Sequence, residues 1–120
     1  MSYDFYLVDP VTRETLTVEF NHQVSGGTYC LGGTNELRLN ITSNYYRHYR
    51  RVFKNEDGIK ILIGKSGAES IPILEEAISL LGDQVDSDYW EPTEGNAKKA
   101  LYGLLALAQI RPDGIWDCWY

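Results

Sequence analysis

The chain has 120 residues, 43% of them apolar, and 11 Lys plus Arg against 17 Asp plus Glu, a formal net charge of −6. This is the size and composition of one globular domain, residues 1–120, with enough chain to bury its own core. The acidic balance excludes a nucleic-acid coat or a polybasic membrane binder, and no apolar run approaches the ~20 residues of a membrane-spanning helix.

Tyr3 to Val8 alternates, with Tyr3, Phe5 and Leu7 on one side. Asp9-Pro10 is a turn signal. Thr15 to Phe20 alternates again, with Leu16, Val18 and Phe20 opposed to Thr15, Thr17 and Glu19. Two such runs around a short link predict an antiparallel hairpin with one wet face. Glycine pairs Gly26-Gly27 and Gly32-Gly33 bracket a short strand, Thr28 to Leu31, and Glu36 to Ile41 alternates once more. The first third therefore predicts a meander of three or four strands.

Thr42 or Ser43 caps a helix running to about Phe53, with Tyr45, Tyr49 and Phe53 as one aromatic stripe. Asn55 to Gly58 is a turn, and Ile59, Ile61 and Ile63 alternate as a further strand. After the loop Gly64-Lys65-Ser66-Gly67, Ser70 is placed as the cap of a second helix, with Pro72 in its first turn and Gly82 at its end. Asp83 to Glu91 is an acidic loop. Thr93 caps a third helix to about Ile110, with Leu101, Leu104, Leu105 and Ala108 as its buried stripe. Arg111 to Gly114 stops it. The tail Ile115 to Tyr120 carries two tryptophans and docks on the body. The fold class is α+β: a mainly antiparallel sheet of three to five strands, begun by the N-terminal meander and covered on one face by two or three helices.

Charge is unevenly spread. Residues 1–40 carry net −3, residues 41–67 net +4 and residues 68–120 net −7. The basic segment holds Tyr45, Tyr46 and Tyr49 beside Arg47, Arg50 and Arg51. Guanidinium forks bind phosphate, and tyrosine rings stack on a base. Lys65 and Ser66 stand before a helix, whose free N–H groups attract anions. Thr28 and Thr34, beside the paired glycines, offer hydroxyls near exposed backbone. Together these residues form a candidate pocket for a small anionic, nucleotide-like ligand. A nucleoside-triphosphatase P-loop is excluded by spacing, since five residues rather than four separate Gly58 from Gly64-Lys65-Ser66.

An acidic-aromatic face is the alternative working surface. Asp86, Asp88, Tyr89, Trp90 and Glu91 cluster beside Asp83 and Glu94, and the tail adds Asp113, Trp116, Asp117, Trp119 and Tyr120. Such a face can occupy the basic groove of a nucleic-acid-binding protein. Catalytic patterns are absent: His22, His48, Cys30 and Cys118 have neither zinc-ligand nor CxxC spacing, so no metal, cofactor or enzymatic role is expected. An uncharacterised hydrolase built on Cys30 and His22 is the enzymatic alternative. Two cysteines and no basic-then-apolar leader after Met1 predict reduced thiols in a cytoplasm.

Gly26-Gly27-Thr28-Tyr29, the run Gly64 to Pro72, the run Tyr89 to Ala97 and Arg111 to Asp117 carry a resemblance across most of the chain. They resemble small proteins of similar length encoded by phages, prophages and their bacterial hosts. The resemblance supplies no catalytic residues. It implies life in a host cytoplasm, where non-enzymatic proteins block defences by sequestering a nucleotide signal or by occluding a defence nuclease, as anti-CRISPR proteins do. The expected function is thus a binding protein for a small anionic ligand. An acidic inhibitor of a host nucleic-acid enzyme is second, and a structural or homo-oligomeric accessory protein third. Arg47 and Lys65 on opposite sides would abolish the pocket. Burial of Trp90, Trp116 and Trp119 would remove the anchors of the acidic face.

Overall fold

The computed structural model describes residues 2–23, 33–85 and 91–120. The class is α+β, with five strands in two sheets and three α-helices among the described residues. Strand β1 (Ser2–Val8) is central in a three-stranded antiparallel sheet, between β4 (Arg38–Thr42) and β5 (Ile115–Trp119). Phe5 pairs with Leu39 on one side and Cys118 on the other, and Leu7 pairs with Trp116. The period-2 pattern sends Phe5, Leu7, Leu39, Ile41 and Trp116 inward, where all are buried. Asp4, Tyr6, Arg38, Asn40, Asp117 and Trp119 occupy the opposite face, as the same register requires.

The predicted N-terminal hairpin survives only at its turn. Asp9 Oδ1 accepts the N–H groups of Val11 and Thr12, the Leu16 N–H donates to the Leu7 carbonyl, and one bridge joins Val8 to Thr15. Beyond Leu16 the place beside β1 is taken by Leu37 and β4: the Leu7 N–H donates to Leu37 O and the Leu37 N–H to Leu16 O. The chain instead forms β2 (Thr17–Gln23), which pairs with β3 (Gly33–Glu36) in a separate two-stranded sheet with a register shift between Thr17 and His22. Phe20, expected on the inward side, is 55% exposed. The meander is therefore divided between two sheets. The strand expected over Thr28 to Leu31 lies outside the described residues.

Thr42 Oγ1 accepts the Asn44 N–H and opens a 3₁₀ turn, Ser43–Tyr45, that runs into α1 (Tyr46–Val52). Tyr45, Tyr49 and Phe53 form the expected stripe, with successive ring centroids 5.9 and 6.0 Å apart in edge-on contact. The segment expected as a strand over Ile59 to Ile63 is a 3₁₀ turn, Gly58–Leu62. Gly58 enters it at φ 57°, and a Cβ there would meet the Arg50 backbone nitrogen at 3.4 Å. Spacing of three then buries Ile59 and Leu62 together, which an alternating strand cannot do.

Helix α2 (Gly67–Ser79) begins one turn earlier than expected. Its cap is Ser66, not Ser70: Ser66 Oγ accepts the Glu69 N–H at 3.0 Å and Glu69 Oε1 accepts the Ser66 N–H at 2.9 Å. Pro72 consequently sits inside the helix rather than in its first turn. Ser70 is buried, donating to the Gly67 carbonyl and accepting the Trp116 indole N–H. Helix α3 (Glu94–Ile110) starts at its expected cap, where Thr93 Oγ1 accepts the Asn96 N–H at 3.2 Å. Its stripe of Ala97, Ala100, Leu101, Leu104 and Ala108 is buried, and α2 and α3 pack together over the inner face of the sheet.

The Ser66–Glu69 exchange makes a measurable contribution. Ser66→Ala is expected to destabilise the protein by about 1 kcal/mol in urea denaturation. The Ser66 N–H, then the Ser66 hydroxyl, holds the Glu69 carboxyl below its ordinary value. A depressed carboxyl stabilises above its unfolded value and loses that contribution as pH falls through the folded one. The stability gap to Glu69→Gln should therefore narrow on acidification; a gap independent of pH would count against the exchange.

Candidate ligand-binding surface

Helix α1 supplies most of the basic segment, and its two sides do different work. Tyr45 and Tyr49 are fully buried, and the Tyr49 hydroxyl donates to the Ala97 carbonyl at 2.9 Å. They hold α1 to the core, so their rings are not offered to a ligand, contrary to the sequence expectation. Tyr46 is 42% exposed. The Arg47 Nε donates to its hydroxyl at 3.2 Å, and that bond, then the Arg47 charge, lowers the Tyr46 phenol below its usual value.

The cations separate once their partners are known. Arg51 is paired with Glu94 at 2.7 Å and reaches the Leu80 carbonyl, which ties α1 to the end of α2 and the start of α3. The Gly82 N–H, then Arg51, holds the Glu94 carboxyl below the ordinary range. Lys54 pairs with Glu76 at 3.4 Å. The Arg50 guanidinium makes no hydrogen bond or ion pair among the described residues. It lines a hollow of about 420 Å³ together with Tyr46, Lys60, Ser43 and Asn44. Glu56 and Asp57 complete that rim. A second hollow of about 400 Å³ is lined by Arg47, His48 and Pro92, and shares Asn44 and Tyr46 with the first. Tyr46 is thus a ridge between two concavities. The His48 Nε2 lies 2.6 Å from the Pro92 carbonyl and closes the second one.

The Gly64 to Gly67 loop does not join this surface. Lys65 lines neither hollow, and its carbonyl accepts the Trp116 N–H. The first N–H groups of α2 are already used: Gly67 donates to Gly114 O, Ala68 to Pro112 O and Glu69 to Ser66 Oγ. A helix start with its donors satisfied and a carboxylate across it repels a phosphate rather than cradling it. Ser66 is therefore a helix cap. Thr34 lies on β3, where its hydroxyl accepts the Glu36 N–H, and Thr28 lies outside the described residues. The candidate surface keeps Tyr46, Arg47 and Arg50 and gains Lys60, Ser43 and Asn44. Lys60 was hidden by the strand assignment, which gave it a different neighbourhood.

On the acidic-aromatic face, Asp86, Asp88, Tyr89 and Trp90 lie outside the described residues. Glu91 is exposed, with its carbonyl accepting the Asn96 side-chain amide. Trp116 is buried and cannot anchor a partner, whereas Trp119 is 72% exposed. Burial, then the charges of Asp4 and Asp117, pushes the Cys118 thiol up to about 12, so it is not a nucleophile at neutral pH. The Cys30 half of the Cys30–His22 pair lies outside the described residues. Among the described residues no three His, Cys, Asp or Glu side chains are grouped as metal ligands, and no helix is long and apolar enough to cross a membrane. Compared with protein families, curated proteins and solved structures, the chain matches none.

Proposed function

We propose that this is a non-enzymatic binding protein that takes a small anionic, nucleotide-like ligand on the surface around α1. The observation that carries the reading is Arg50, a guanidinium without an intramolecular ion pair among the described residues, on the wall of a 420 Å³ hollow that Lys60 also lines. Two cations suit one phosphate group. The carboxylates of Glu56 and Asp57 disfavour a longer polyanion, but they accept hydrogen bonds from sugar hydroxyls or a base amino group. Tyr46 offers an exposed ring beside them. In the host-cell setting that the phage resemblance implies, the same surface would sequester a nucleotide signal.

Equilibrium dialysis against AMP, a cyclic dinucleotide and inorganic phosphate tests the reading. At least one nucleotide should bind, and Arg50→Ala should weaken it about tenfold or more, the effect of losing a charge-assisted hydrogen bond. Arg51→Ala, which breaks a structural ion pair, should leave affinity unchanged. Equal binding by Arg50→Ala and the parent, or no binding of any probe, would reject the site.

A further inference from the structure

A second surface lies on the outer face of the three-stranded sheet, away from the helices. Its cross-strand rows are set by register: Trp119, Asp4 and Asn40 form one, and Asp117, Tyr6 and Arg38 the next. Tyr6 stands directly opposite Asp117 across the β1–β5 pair, and Asp4 opposite Trp119. The Asp4 carboxylate accepts the Asn40 side-chain amide at 2.9 Å. Trp119 itself is 72% exposed on this face. A hollow of about 340 Å³ opens beside it, lined by Asp4, Tyr6, Glu36, Arg38, Arg13 and Trp119.

We propose that this face docks an arginine-bearing segment of a partner protein, with the incoming guanidinium stacked on Trp119. Tryptophan is the best aromatic partner for a cation. Three carboxylates, Asp4, Asp117 and Glu36, stand on or beside the face, two of them in the rows that hold Trp119 and Tyr6. Against Arg13 and Arg38 of the same hollow these three carboxylates leave a small negative excess, which favours a cation on the ring over a nucleic-acid strand, although a nucleobase could use the same ring. Arg13 and Arg38 make no ion pair with any described residue, and they are placed to receive an acidic neighbour on the same segment. The chain's net charge of −6 steers a basic partner toward it. The bond from Asn40 holds the Asp4 carboxylate in place before the partner arrives.

The test titrates a blocked hexapeptide of alternating arginine and glycine into ¹⁵N-labelled protein. The Trp119 indole signal is identified by its loss in Trp119→Leu. That signal should move and saturate, and the dissociation constant should rise about tenfold in Trp119→Leu. Asp4→Asn, which preserves the bond from Asn40, should weaken binding severalfold, and Glu75→Gln on the exposed side of α2 should not. Arg50→Ala should bind the peptide normally, so this proposal fails or stands independently of the α1 surface. The proposal is overturned if Trp119→Leu binds as tightly as the parent, if Glu75→Gln weakens binding as much as Asp4→Asn, or if AMP moves the Trp119 signal and the peptide does not.

Discussion

Trp116→Ala is expected to lower unfolding free energy by about 3–5 kcal/mol, the range for removing a buried aromatic side chain. The side chain is 1% exposed on the inner face of β5. Its ring meets Phe5 edge-on, with centroids 6.1 Å apart and planes at 85°. The indole N–H donates to Ser70 Oγ at 2.8 Å, which links the sheet to α2 through a fully buried bond. Alanine would open a cavity and remove that link together. Trp116→Phe separates the two effects: it keeps most of the volume, loses the bond, and should cost about 1–2 kcal/mol. Trp119→Ala, on the exposed face of the same strand, should stay within about 0.5 kcal/mol of the parent. Urea denaturation with an unchanged m-value reads all three. Equal losses at Trp116 and Trp119 would contradict the inward and outward placement.

Gly95→Ala should destabilise by about 2 kcal/mol, although alanine is ordinarily the better helix former by about 1 kcal/mol. The sign reverses because an alanine Cβ would lie 2.3 Å from the Gln84 carbonyl oxygen and 2.6 Å from Val85 Cγ1. That carbonyl is held against the helix by the Gly95 N–H at 2.7 Å, so backbone must move. Gly103→Ala provides the contrast. Its Cβ would approach Leu39 Cδ2 at 2.8 Å, the end of a side chain that can turn aside. Its thermal midpoint should fall less than that of Gly95→Ala. A midpoint for Gly95→Ala at or above the parent would show that the 84–95 closure is loose.

Periodicity made the helices readable. The Tyr45, Tyr49 and Phe53 stripe and the Thr93 cap appear in the structure as their spacing implies, because both are local. The start of α2 was legible too, but in a different signal. Ser66 has glutamate three residues on, the reciprocal cap, whereas Ser70 has none. Strand pairing was not legible. Alternation tells which face a residue takes and nothing about its neighbour, so β1 was given to residues 15–20 although β4 and β5 flank it. The Ile59 to Ile63 run was too short for its period to separate a strand from a 3₁₀ turn. The site followed the same division. Clustering of Arg47, Arg50 and Arg51 was visible, but which guanidinium lacks an ion pair depends on Glu94, brought to Arg51 only by the packing of α1 beside α3.

The placement of β1 bears on the order of assembly. This strand precedes all three helices, yet one of its two neighbours, β5, follows them. A nascent chain that has released everything through α3 still holds β1 with one edge unsatisfied and Trp116 missing from beneath it. Closure of the sheet must therefore wait for β5, which places the loop-entropy cost after the helices have been made. The outer row of Trp119 with Asp4 and the inner contact of Trp116 with Ser70 then form in a single event. The outer face of the sheet cannot be presented before the core beneath it is complete.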